Sequence, residues 1–242
     1  MLATGLLALL FVRIDGIRIA TADDQHTLAA ATDADIGQAS RVLDLCIGRF
    51  YALVKWPVLE SLMRDCSDGL LSALRIGAFL MCVIAAARFL RDALDSEPAA
   101  ALFLVLVCAL LPVLVTYQPL FYNPMLWLGW ACIWWMGVLA LKPDTPGNGG
   151  LIAGLFLLAL MSHEMNAVFV VWPWLLRSVV GRKGIRAAFT RSTILCGVVL
   201  AGYGAVSVTV RMATANFGIN YSGGTIAYDL PAALQSLLAN SL

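Results

Sequence analysis

The chain has 242 residues, of which 61% are hydrophobic and 13% charged, and its formal net charge is +1. A soluble domain carries roughly a quarter of charged residues, so this composition excludes an ordinary soluble enzyme and points to a polytopic membrane protein. The few Lys and Arg residues fall in separate loops rather than on one surface, which excludes a nucleic-acid partner.

Met1 to Val12 is apolar but falls short of the about 20 residues that a spanning helix needs. Extending it brings in Arg13, Asp15 and Arg18. The stretch reads as the end of a longer first helix, or as a helix to Ala22 whose charges snorkel or face protein. A cleaved leader ending at Ala20-Thr21-Ala22 is the third reading, against which stands the lack of a basic start. Asp23 to Gly69 is the long polar segment, with eight of the fifteen acids. Val42, Leu45, Cys46, Phe50, Leu53 and Val54 recur in it at helical spacing, which predicts helices lying along the membrane surface, anchored by Tyr51 and Trp56.

Six apolar segments follow, at 70–90, 99–116, 125–141, 151–161, 165–180 and 192–211. Arg88 and Arg91, then Lys142, then Arg177, Arg182, Lys183, Arg186 and Arg191 occupy alternate junctions, which the positive-inside rule places in the cytoplasm. The opposite junctions, Tyr117 to Pro124 and Ser162 to Asn166, carry no Lys or Arg. Residues 151 to 176 read as one span would run about 39 Å and would push the most basic loop outward. Two short helices turning at Ser162-His163-Glu164 are therefore expected. Past Arg211 the chain turns polar and Gly-rich, and Asp229-Leu230-Pro231 reads as the start of a further helix.

The expected fold is all-α: one integral membrane domain over residues 1–242, a transmembrane bundle of about seven helices. An extracytoplasmic loop at 23–69 carries amphipathic surface helices, and an extracytoplasmic tail occupies 213–242. Cys82, Cys108, Cys132 and Cys196 lie in apolar runs and act as small hydrophobes. Cys46 and Cys66 lie in the polar loop, as free thiols or, in an oxidising compartment, as a bridge.

Two places pair a histidine with carboxylates. Asp23 and Asp24 are adjacent, so on a regular element they point apart, and one can act as a base while the other holds a cation. His26 follows Asp23 by three, on one helix face if that stretch is helical. The competing reading is a solvated turn with capping aspartates. His163-Glu164 sets ionisable groups between apolar helices, which is costly and marks a functional site, unless the turn is simply wet. These are the two histidines of the chain, and the topology puts both on one side, where a divalent metal could bridge them. Tyr117, Gln118, Tyr122 and Trp127 offer rings for a sugar or an interfacial belt. Trp127, Trp130 and Trp134 share a helix face and read as packing. Arg49 and Lys55 suit a lipid-linked phosphate or acidic head groups.

The layout of a first helix, an outward loop opening with Ala22-Asp23-Asp24, surface helices with Gly48-Arg49-Phe50, and short helices with a Ser162-His163-Glu164 turn resembles the GT-C superfamily of polytopic membrane glycosyltransferases. The nearest likeness is to bacterial O-antigen and lipopolysaccharide glycosyltransferases. Such families continue into more helices and an extracytoplasmic domain, so the chain is expected as a shortened member. The resemblance implies a hexosyltransferase of the bacterial inner membrane. Its donor is a sugar on a polyprenyl phosphate and its acceptor a cell-envelope glycan or lipid. Asp23 or Asp24 is the catalytic base, inverting the anomeric carbon, and His26, Arg49, Tyr117, Gln118, His163 and Glu164 bind substrate. Mg or Mn, held by Asp24 and Glu164, is the implied metal. A transporter or flippase, or a non-catalytic piece of a larger assembly, are the other classes left open by the sequence.

Overall fold

A computed structural model describes residues 34–46, 48–65, 68–117, 124–181, 184 and 188–214. Asp23, Asp24, His26, Cys66, Gln118 and the tail beyond 214 lie outside the described residues. Every element among the described residues is helical. In chain order these are α1 (Ala34–Cys46), α2 (Ala52–Asp65), α3 (Asp68–Leu94), α4 (Glu97–Tyr117), α5 (Pro124–Ala140) and α6 (Pro146–Ser162). A 3-10 helix (Glu164–Val171), α7 (Trp172–Val179) and α8 (Arg191–Thr214) complete the order. The all-α expectation holds, and the apolar segments read from the sequence fall on α3 to α8. One helix among the described residues, α8, is long and apolar enough to cross a membrane. Glu97–Val107, Met125–Ala140 and Pro146–Ser162 are shorter apolar helices.

Ring contacts and close approaches give the helix directions. Phe79 meets Trp127 with ring centroids 5.1 Å apart, and Phe89 meets Trp134 at 5.4 Å, so α3 and α5 run parallel, with α4 as the return between them. The tight turn Leu141–Thr145 then reverses the chain: Gly129 of α5 lies against Ser162 at the far end of α6, so α6 runs antiparallel to α5. The contact is close because Gly129 lacks a side chain; a Cβ there would sit 2.7 Å from that of Ser162.

A second reversal comes at His163, whose backbone is extended (φ −162°, ψ 129°). Beyond it Phe169 packs on Trp130, Trp172 on Trp134, and Arg177 reaches the carbonyl of Ala140. The chain thus runs back along α5, and residues 151 to 176 form a hairpin rather than a single span. The segment expected as one helix over 165–180 is divided into the 3-10 helix and α7. Pro173 enters at the first turn of α7, and having no N–H it cannot continue an α-helical ladder from upstream; the Trp172 N–H bonds Phe169 O in the tighter i to i−3 manner instead.

The core lies between these helices: Phe89, Ile133, Met136, Ile152, Phe156, Leu160, Leu176 and Cys196 form one buried cluster. Trp127, Trp130 and Trp134 of α5 are packing residues, as their shared face predicts, while Trp135 is exposed. By contrast α8 exposes Ile194, Val198, Val206, Val208 and Met212, an apolar surface that suits a hydrocarbon solvent better than water.

Candidate functional site at the helical hairpin turn

Helix α1 ends in a Schellman motif. The Gly48 N–H bonds Leu45 O at 2.9 Å and the Arg49 N–H bonds Asp44 O at 2.8 Å, with Gly48 in the left-handed region at φ +88°, where a residue without Cβ is unstrained. Gly48 also permits a close approach: a Cβ there would lie 2.8 Å from the backbone O of Ser207 on α8. Around it, Thr214 Oγ1 donates to Leu45 O at 3.3 Å and Phe50 packs on Tyr203 with centroids 5.1 Å apart. The surface segment is therefore seated on one end of α8.

That seating aims Arg49 at the hairpin turn. Its Nε donates to Glu164 Oε1 at 2.9 Å and its Nη2 donates to the same oxygen, while Nη1 reaches Asp44 Oδ1 at 3.3 Å. The Tyr51 hydroxyl donates to Glu164 Oε2 at 3.3 Å, and Lys55 Nζ lies 3.6 Å from Asp44 Oδ2. On the other side the turn is locked. Ser162 Oγ donates to Ala159 O at 2.7 Å, and the buried Asn166 donates from Nδ2 to Ala159 O at 2.8 Å and to Ser162 Oγ at 3.2 Å. His163 Nδ1 accepts the Met165 N–H at 3.1 Å, capping the 3-10 helix.

The charges reinforce one another. Burial pushes the Glu164 carboxyl up, but the Arg49 hydrogen bond, a bond from its own backbone N–H and the charges of Arg49 and His163 outweigh it, leaving it below the usual carboxylate range. Burial alone would lower the Arg49 guanidinium; its hydrogen bond with Glu164 and the charges of Tyr51, Glu164 and Asp44 raise it instead. Burial and the Glu164 charge raise the Tyr51 phenol, which stays a donor. Burial lowers Lys55 against the pull of Asp44.

No family model, curated protein or solved structure matches the chain.

Of the residues singled out in the sequence, the structure joins Arg49 to Glu164, with His163 alongside. Tyr117 closes α4, and its side chain is not among those described. The Arg49 fork, read as suited to a lipid-linked phosphate or to acidic head groups, is engaged here by Glu164 and Asp44. One expectation changes. Tyr51, expected as an interfacial anchor, is buried at 6% exposure and turned to Glu164. Among the described residues no three His, Cys, Asp or Glu side chains converge as a metal set, and Glu164 gives one oxygen to Arg49 and the other to Tyr51. Cys46 is a free thiol whose Sγ lies 3.8 Å from Thr214 O. Sequence reasoning missed Asp44 and Asn166. Asp44 precedes Arg49 by five, the spacing that a Schellman turn brings together, and that was the available signal. Asn166 carried no signal beyond its place in a polar turn.

The opposite end of the bundle is held by Arg177, 4% exposed. Its Nε donates to Ala140 O at 3.0 Å, Nη1 to Ser192 Oγ at 2.5 Å and to Thr190, and Nη2 to Asp144 Oδ1 at 3.2 Å. Asp144 Oδ2 accepts the Arg191 N–H at 2.9 Å. Arg177 is thus a structural tie, although the sequence presents it as one more loop charge.

Proposed function

We propose that the chain is a multi-pass membrane glycosyltransferase, of the bacterial inner membrane, with about seven spanning helices. It moves a hexose from a polyprenyl-phosphate donor to a glycan or lipid acceptor of the cell envelope on the extracytoplasmic side. The observation that carries the reading is the Arg49–Glu164 pair. A carboxylate at the reversal between two apolar helices is gripped from the polar segment that opens with Asp23-Asp24. Support also comes from placement, since this end of the bundle lies away from Arg88, Arg91, Lys142, Arg177 and Arg191.

In the reaction, Asp23 or Asp24 takes the proton of the acceptor hydroxyl as its oxygen bonds the anomeric carbon. The bond from that carbon to the phosphate oxygen breaks, and the lipid phosphate leaves with the electron pair. Asp24 and Glu164 would hold a Mg or Mn ion, which supplies charge stabilisation to the departing phosphate. His26, Arg49, Tyr117, Gln118, His163 and Glu164 contribute to substrate binding.

The test is transfer of radiolabelled sugar from a polyprenyl-phosphate donor by membranes containing the chain, with and without EDTA. The expected result is transfer that falls at least about a hundredfold in the Asp23→Asn/Asp24→Asn double variant. Full transfer by that variant, at equal expression, refutes the assignment. A transporter is the second reading, favoured by the helix broken at His163 beside an ionised group. Dependence of substrate flux on Glu164, with no transfer, would select it.

A further inference from the structure

Arg49 carries the planar fork that fits the oxygens of a phosphate as well as those of a carboxylate. Here the fork is occupied from within the protein, by Glu164 on Nε and Nη2 and by Asp44 on Nη1. The pair is not sealed: the Arg49 and Glu164 side chains are 31% and 37% exposed. An ion pair open to solvent is held by little net free energy, so a second anion of equal charge competes for the guanidinium on similar terms. The fork also lies at the hairpin reversal, where two apolar helices end, so the head group of a molecule whose tail lies along those helices meets it first.

We propose that Glu164 is an internal stand-in for a phosphodiester: the ligand phosphate takes the Arg49 fork in its place and leaves the Glu164 carboxylate free beside the bound phosphate. This rests on the reading of a lipid-phosphate donor. Arg49 and Lys55 balance Asp44 and Glu164 before binding, so a bound phosphodiester leaves the site one negative charge in excess, and Glu164 is the group that gives up its cation. The groups facing Glu164 are Arg49, Tyr51 and Lys55 from the surface segment, His163 on its own turn and Tyr203 on α8. Of these, Arg49 is the cation that grips the Glu164 carboxylate from two nitrogens, and its loss to the phosphate releases that carboxylate. The resting contact is therefore autoinhibitory, and binding of the phosphate relieves it.

The test uses the full chain in detergent and farnesyl methyl phosphate, a prenyl phosphodiester that keeps one negative charge from weakly acid to neutral pH, with binding followed by calorimetry. Removing the internal competitor in Glu164→Gln should tighten binding on the order of fivefold, and Arg49→Gln should abolish it. Unchanged or weaker binding by Glu164→Gln, or normal binding by Arg49→Gln, overturns the proposal. If Glu164→Gln fails to fold, Glu164→Ala takes its place with the same expected tightening, and unchanged or weaker binding by it is the refuting result. Phosphatidylglycerol in nanodiscs is the second arm: competition at equal concentration keeps the exchange and assigns it to bilayer head groups rather than to a prenyl donor. Tightening without sugar transfer sinks the transferase and leaves the exchange standing. Transfer with no tightening does the reverse.

Discussion

Glu164 is held ionised by Arg49 and by its own backbone, and its folded pKa lies below the ordinary value of 4.5. As pH falls, the unfolded chain therefore takes up the proton first, so the stabilisation is complete at neutral pH and is lost as pH drops below about 4.5 through the depressed range. Thermal unfolding in detergent should show this decline between pH 5 and 3 in the wild type, beyond that of Glu164→Gln. Because both partners are about a third exposed, a double-mutant cycle on Arg49 and Glu164 should return a coupling of about 0.5–1 kcal/mol and no more. Gly48 is less forgiving. Alanine there meets a left-handed backbone and the Ser207 carbonyl together, so Gly48→Ala should cost about 2 kcal/mol in the same assay.

Helix α6 and the segment after it show what could be read from the residues and what could not. The break at Ser162-His163-Glu164 was legible, because polar groups interrupt an apolar run and the flanking basic loops demand a reversal. The positions of α3 to α8 were legible from the same contrast of apolar runs and charged junctions. The 3-10 winding of 164–171 was not: Val168, Phe169, Val170 and Val171 are as apolar as any helix here, and the decision rests on Pro173 and on packing against α5. Nor could a sequence show that Arg49 would meet Glu164, since 115 positions separate them. The turn itself depends on Asn166, whose side chain is the buried donor to Ala159 O. Asn166→Ala should destabilise by about 0.5–1.5 kcal/mol, the loss of one buried donor to a carbonyl that keeps the Ser162 hydroxyl and the His163 N–H, while Asn166→Asp should be worse because it brings a charge and no donor. Unfolding midpoints of the two variants test this order.

Over the whole molecule the two ends of the bundle are fastened differently, one by the exposed Arg49–Glu164 pair and the other by Arg177 with four partners, nearly closed to solvent. Arg177→Ala strands Asp144 and should cost about 3 kcal/mol, several times the loss from Arg49→Ala, and unfolding midpoints of the two variants compare them directly. Single cysteines at Lys142 and at His163, placed in a background without the native thiols, should be labelled from opposite sides of a sealed membrane vesicle if the hairpin spans the bilayer. The seating of Leu45 on Thr214 spans 169 positions of chain, which bears on the order in which the protein assembles. A ribosome completes the surface segment long before it makes the end of α8, so α1 and its Schellman turn must wait undocked through most of synthesis. Closing so long a loop is slow and entropically costly. The hairpin can therefore form first and the surface segment settle over it last, which makes that settling the final step of maturation and the first contact to open again.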